Sequence, residues 1–246
     1  MSKQQLIHGI HAVDAALTKH PERVLRICML DTRDDHRLQK IRTLARKQNI
    51  PVDYASKHEL DRMARDVPHQ GVVAFCEQAK TYSEADLEEL LTNLTPPAFL
   101  LILDGVQDPH NLGACLRSAD AAGVHAVIVP RDKAVGLTGT VSKVASGAAE
   151  SIPLIQVTNL ARTLRFLQEQ GIWLFGAAEE AEKNLFAADL KGPVGIVLGA
   201  EGAGLRRLTR EHCDELLKIP MHGIVSSLNV SVATGIFLFE VVRQRG

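Results

Sequence analysis

The chain of 246 residues lacks most of the features that would assign it to a special class. Its four cysteines, Cys28, Cys76, Cys115 and Cys213, are far apart and none sits in a C-x-x-C pair, which argues against a disulfide framework or a thiolate zinc site. The longest apolar stretch, near the C-terminus, is broken by Thr234, Gly235 and Glu240 and falls short of the roughly 20 residues that a membrane span needs. The opening MSKQQLIHGI has no long apolar run after its lysine, so no secretory signal is expected and the chain reads as cytoplasmic, with no membrane partner. Charge of one sign is missing too: 28 Lys and Arg face 29 Asp and Glu, a net of −1. With 46% hydrophobic and 23% charged residues, 18 Gly and 10 Pro, the composition is that of an ordinary globular protein and excludes disorder, collagen-like repeats and a coiled coil.

The distribution of charge says more than the total. Residues 1–80 hold 14 bases and 10 acids, +4, with six of the ten histidines; residues 81–97 hold four acids and no base; residues 98–246 hold 14 bases and 15 acids, −1. Such an N-terminal part either tracks phosphates or is simply solvated.

Apolar spacing predicts a helix over residues 8–18, a strand at 24–30, a helix over 37–48, strands at 52–54 and 72–75, and a helix over about 57–65. That is a small three-layer α/β domain over residues 1–78. The helix over 37–48 turns Leu38, Ile41 and Leu44 inward and leaves Arg37, Arg42 and Arg46 elsewhere, a face open to RNA or to water. Residues 79–97, one short acidic helix closed by Pro96-Pro97, read as a linker. From residue 98, near-continuous apolar strands (99–104, 126–130, 172–176, 194–199, 216–220) alternate with helices, including one from about Leu112 and a last one over 228–242. This pattern predicts a parallel sheet covered on both faces. Ligands bind such sheets at the carboxyl ends of strands, so the loops after Asp104, Pro130, Gly199 and Pro220 are the ones to inspect.

Three of these loops carry polar clusters. The first, LDGVQDPHNLGACLRSADAAG, places Asn111 where it could cap a helix and Arg117 in a helix so rich in Gly and Ala that something must pack closely against it. The second, IVLGAEGAGLRRLT, has Gly199, Gly202 and Gly204 in a spacing that fits neither G-x-G-x-x-G nor the Walker pattern. Glu201 there needs a partner, such as Arg117 or a helix N-terminus. The third, IPMHGIVSSLNVSVATG, crowds Ser226, Ser227 and Asn229 at a helix start, more polar groups than one cap requires. Ile219, Met221 and Leu228 would bound a pocket for a flat apolar ring. No H-E-x-x-H, Ser-His-Asp set or metal-ligand spacing is present, so no metal is assigned.

In this order, at the ends of successive strands, NLGACLRSADAAG, LGAEGAGL and IPMHGIVSSLNVSVATG resemble the three motifs of the SpoU (TrmH) branch of the SPOUT RNA ribose methyltransferases, over residues 98–246. The GIHAV start is similar to the L30e-like substrate-binding domain that some members carry. Over its whole length the chain is similar to the bacterial members that methylate a guanosine ribose in the P loop of 23S rRNA. The resemblance implies an α/β fold with a C-terminal deep trefoil knot, S-adenosyl-L-methionine as cofactor, 23S rRNA as partner and a homodimer. It places cofactor contacts on Leu198, Gly199, Ile219, Met221 and Leu228, and the catalytic set on Arg117, Asn111, Glu201, Ser227 and Asn229, with RNA gripped by Arg37, Arg42 and Arg46. His222 departs from the small residue common in relatives. A tRNA ribose methyltransferase and a non-catalytic RNA-binding assembly factor share the fold and stay open as rivals. A small-molecule methyltransferase would need a glycine-rich loop after its first strand, which is not seen.

Overall fold

The computed structural model describes residues 4–31, 35–65, 67–77, 82–132, 141, 144–145 and 147–246. The chain divides into two compact units, Met1–Lys80 with Ser142–Ser151, and Thr81–Val141 with Ile152–Gly246.

The first unit contains β1 (Gln4–His8), α1 (Ile10–Lys19), β2 (Val24–Leu30), α2 (His36–Lys47), β3 (Val52–Ala55), α3 (Lys57–Met63) and β4 (Val72–Glu77). Its sheet runs β1-β4-β2-β3, with β4 antiparallel to both neighbours and β2 parallel to β3. β1 is a strand that periodicity misses: QQLIH offers only two apolar residues, and its state is set by pairing with β4. Local capping chemistry fixes the helices. Asp35 accepts from the backbone N–H groups of Arg37 and Leu38, and Ser56 with Glu59 forms a capping box on α3. α3 ends at Met63, short of the Arg65 end read from sequence, and Arg65 has a positive φ. Ile27, Met29, Val72 and Ala74 on one face of the sheet form a core with Val13, Leu17, Leu38 and Ile41. Leu60 and Ala64 cover Cys28 and Val73 on the other. The short helix α6 (Ala148–Ser151) also belongs here, where Arg23 donates to the buried Glu150 at 2.9 Å.

The second unit contains α4 (Glu84–Asn93), β5 (Phe99–Asp104), α5 (Pro109–Ala122), β6 (Ala126–Pro130), β7 (Leu154–Val157), α7 (Leu160–Glu169), β8 (Trp173–Ala177), β9 (Lys183–Asn184), β10 (Val194–Gly199), α8 (Arg207–Glu211), β11 (Glu215–Lys218) and α9 (Val230–Arg245). Its seven-stranded sheet, β7-β6-β5-β10-β8-β11-β9, is parallel in every pair. Sequence patterning placed five of these strands; it missed β7, LIQV, whose run is interrupted by Gln156, and β9, which has two residues. Every residue of β5 and β6 is buried, as expected for strands covered on both faces. α4 packs through Leu87 into the core formed by Leu100, Ile128 and Ile155. Residues 78–81, where the linker was expected to begin, lie outside the described residues.

β10 enters between β5 and β8, and β11 between β8 and β9, so late strands fill positions between earlier ones. The carboxyl ends of β5, β10 and β11 therefore point the same way and gather the three motif loops at one end of the sheet.

Candidate active site

α5 begins at Pro109 because Asp108 caps it, its side chain accepting from the backbone N–H of His110 at 2.9 Å, and proline is tolerated at the first helical position. The cap is thus Asp108, three residues earlier than the Asn111 cap read from sequence. This frees Asn111 for a different task. The small residues of α5 admit α9 closely: Leu112, Cys115, Leu116 and Ala119 are buried, and the Cys115 thiol lies 3.3 Å from the Thr234 hydroxyl. Burial pushes that thiol up to about 11, so Cys115 is a packed group and no nucleophile.

Asn229 caps α9, its Oδ1 accepting from Ser231 N at 2.9 Å and Ser231 Oγ at 2.6 Å. Its Nδ2 donates to Asn111 Oδ1 at 3.0 Å and to Glu201 Oε1 at 3.3 Å. Asn111 Nδ2 donates in turn to Glu201 Oε2 at 3.2 Å. The result is a closed triangle in which both amide protons and both acceptor positions of Asn229 are in use, which fixes its orientation. The helix cap and the site are therefore one residue.

Glu201 is exposed and held by two amides; among the described residues no cation pairs with it. Arg117, expected as the partner of Glu201, lies elsewhere on α5. Six residues along a helix turn Arg117 by about 120° from Asn111 and carry it about 9 Å farther along α5. Arg117 stands exposed, with no hydrogen bond or ion pair among the described residues. Ser227 is likewise exposed and outside the triangle. Of the five candidate catalytic residues, three come together and two do not.

The glycine loop is built by close backbone approach. A Cβ on Gly199 would lie 2.0 Å from the Gly204 carbonyl carbon, and Gly204 N donates to Ala200 O at 2.9 Å. Gly202 and Gly204 have φ of 75° and 64°, which suits residues without a side chain. The loop is latched at its far end by Asp104, a residue that the sequence reading had placed only in a polar cluster. Its fully buried carboxylate accepts from Arg206 N at 3.1 Å and Nε at 2.5 Å, and pairs with Nη2. A carboxylate ending an otherwise apolar strand was the signal for that latch: such a burial requires a partner.

Leu198 is buried, and Gly199, Ile219, Met221 and Leu228 are half-buried, while residues 222–227, His222 among them, are exposed. Residues 219–229 form no helix or strand, and among the described residues their N–H groups meet no backbone carbonyl. In the first unit, Arg37 and Arg46 are exposed and Arg42 is half-buried on α2. Among the described residues, no group of three His, Cys, Asp or Glu could hold a metal, and no helix is long and apolar enough to cross a membrane.

The profile of the SpoU rRNA Methylase family matches residues 98–239, and that described as RNA 2'-O ribose methyltransferase substrate binding matches residues 6–82. The chain is 60% identical over 242 residues to the 23S rRNA (guanosine-2'-O-)-methyltransferase RlmB of Pectobacterium atrosepticum, covering 98% of this chain and 99% of that one. It is 56% identical over 241 residues to the Escherichia coli protein of the same name, with 98% and 99% covered. Among solved structures it is similar to the SpoU methyltransferase AviRb from Streptomyces viridochromogenes in complex with AdoMet, at TM-score 0.80 and 25% identity, covering 98% of this chain and 90% of the other. The A. aeolicus TrmH/SpoU tRNA modifying enzyme aligns with 66% of this chain and 83% of its own length, at TM-score 0.56 and 30% identity. Motif loops gathered at one end of a parallel sheet, a matching profile and full-length similarity agree: the chain belongs to the SpoU rRNA methylase family.

Proposed function

We propose that this protein transfers a methyl group from S-adenosyl-L-methionine to the 2'-hydroxyl of a guanosine ribose in 23S rRNA, at the P loop of the peptidyl-transferase centre. The observation that carries the reading is the Asn111–Glu201–Asn229 triangle at the carboxyl ends of β5 and β10, beside a loop in which Gly199 lets the backbone of Gly204 pack directly against it. In this reading residues 98–246 hold the chemistry and residues 1–78 bind the RNA; residues 79–97, expected as a linker, include α4, which packs into the second unit, while residues 142–151 belong to the first. In this reading the C-terminal part of residues 98–246 folds as a deep trefoil knot, with which the entry of β10 and β11 between earlier strands agrees.

The residues present fit the cofactor. A site for a flat ring with polar edges needs apolar walls and free backbone groups; Leu198, Ile219, Met221 and Leu228 offer the first, and residues 219–228 the second. Bound there, S-adenosyl-L-methionine supplies an electrophilic methyl group. The protein's task is alignment of the ribose hydroxyl, which can remove several kcal/mol of barrier. Asn111, Glu201 and Asn229 form a preorganised polar wall, and Ser227 lines the ribose side. Arg117 is a positioning and electrostatic group for the nucleotide phosphate: a guanidinium keeps its proton in proteins, so the hydroxyl proton leaves to a phosphate oxygen or water.

Since Arg117 is not at the triangle of its own chain, we assign it to the site through a homodimer. Val232, Ile236 and Phe239 form an i, i+4, i+7 stripe on α9, with Val232 51% and Phe239 48% exposed, and Ile224 and Val225 project from the neighbouring loop. An apolar patch of that kind beside a polar site marks an interface. The test is tritiated methyl transfer to 23S rRNA from cells lacking this gene, mapped by primer extension at low nucleotide concentration. A single guanosine stop in the P loop is expected. Cofactor binding with methylation of tRNA alone would move the substrate to tRNA, and RNA binding without cofactor binding would favour an assembly factor.

A further inference from the structure

The first unit has only two aromatic residues in residues 1–80, Tyr54 and Phe75, and both lie under a guanidinium. They do so on opposite faces of the sheet. Arg26 sits 4.0 Å from the Phe75 ring centroid and also pairs with Asp53 at 3.4 Å. Phe75 is half-buried, and its guanidinium partner is shared with the Asp53 carboxylate. Tyr54 differs. It stands in register with Met29 on β3, the edge strand of the sheet, at the rim of the core covered by α1 and α2. It is 55% exposed, and the Arg42 guanidinium is 5.9 Å from its ring centroid. Arg46, one turn farther along α2, shares the Arg42 face, and it is exposed.

A ring with more than half its surface in water gains only part of the benefit of burial, and a solvated cation–π contact is worth little. The same ring is a good surface for an unpaired base, because proteins read single-stranded RNA by stacking bases on aromatic side chains and guanidinium planes while basic groups hold the flanking phosphates. We infer that Tyr54 is a stacking platform for one unpaired base of the RNA substrate, with Arg42 completing the platform and Arg46 holding the adjacent backbone. This rests on the reading of residues 1–78 as the RNA-binding part, and it names the place within that part where RNA is gripped by shape and not by charge alone.

The probe is an unmodified transcript of the 23S rRNA segment carrying the P loop, titrated by fluorescence anisotropy between 50 and 200 mM salt with the full-length protein. Tyr54→Ala is expected to weaken binding about tenfold with the slope of affinity against salt unchanged, and Tyr54→Phe to stay within twofold. Arg46→Ala is expected to weaken binding and flatten the salt slope by about 1. Thermal midpoint and S-adenosyl-L-methionine affinity, measured on each variant, should stay at wild-type values, which separates lost stacking from lost folding. If Tyr54→Ala binds like the wild type while Arg42→Ala and Arg46→Ala weaken, the stacking role is wrong and the RNA face stands. Equal loss in Tyr54→Ala and Tyr54→Phe would mean a hydroxyl contact and also overturn stacking. Wild-type binding by all of these variants would overturn the RNA face itself.

Discussion

The two sheets of this protein expose their polar groups in different ways. In the seven-stranded sheet all strands run in one direction, so the loops after β5, β10 and β11 open at the same end, and residues 90 or 118 apart in sequence meet there in hydrogen bonds. In the four-stranded sheet β4 runs against its neighbours, so no single end collects the loops, and the accessible chemistry lies instead along edge strand β3 and helix α2. The parallel arrangement suits a site that must hold several groups in fixed geometry. The mixed sheet, with an edge and a basic helix face, suits a surface that grips an extended polyanion. The difference lies in strand direction, before any particular side chain is considered.

Substitutions can break this division of labour. The largest effect is expected from Arg117→Ala: turnover falls at least a hundredfold while S-adenosyl-L-methionine affinity, read by calorimetry, stays within twofold. A parallel loss of cofactor affinity would move Arg117 out of substrate positioning. Next is Gly199→Ala, whose Cβ would overlap the Gly204 backbone at 2.0 Å. Because the obstacle is backbone, the whole loop must shift; cofactor affinity is expected to drop more than tenfold with RNA affinity unchanged. Asp104→Asn takes the charge from the buried partner of Arg206. Removing one member of a fully buried pair costs about 3–5 kcal/mol, and since 45% of the Arg206 side chain faces solvent about 2 kcal/mol is expected, read in denaturant unfolding. Asn229→Ala removes a helix cap, at about 1 kcal/mol, and opens the triangle; activity should fall far more than that stability loss explains.

The smallest effect is a pH dependence confined to the second unit. Burial, aided by the nearby Arg245 charge, lowers the His125 pKa below its ordinary 6.5. Its Nδ1 accepts from Phe99 N at 3.0 Å, a bond only the neutral ring can make. The contribution is complete above about 6.5 and is lost as pH falls from there through the folded value, because the unfolded chain binds the proton more readily. Melting temperature should therefore decline between pH 7 and 5 in the wild type, and less steeply in His125→Gln. An equal decline in both would assign the effect elsewhere.

Much of the second unit was legible because buried parallel strands leave near-continuous apolar runs that patterning can see, as in FLLILD and VGIVLG. The same logic failed for β1, where two apolar residues between polar ones carry little signal and antiparallel pairing with β4 supplies the structure. It also misplaced the cap of α5. Asp108 and Asn111 are both good capping types, and only the position of Pro109 in the first turn and the pull of Glu201 on Asn111 separate their roles. The need of Glu201 for a partner was legible; that its partners among the described residues would be two amides was not, since it depends on loops that meet across the sheet.

By itself the sequence determined the alternation of strands and helices, the glycines that only a tight loop can use, and the residue types present in each motif, because these follow from local spacing and from the cost of burying or bending particular groups. Tertiary structure alone decided which residues meet. It brought Asn111, Glu201 and Asn229 into one triangle, set Arg117 apart from them, closed Asp104 onto Arg206, and left Tyr54 exposed beside Arg42 at a sheet edge. Strand order and direction fix those encounters, and neither is written in the period of any one segment.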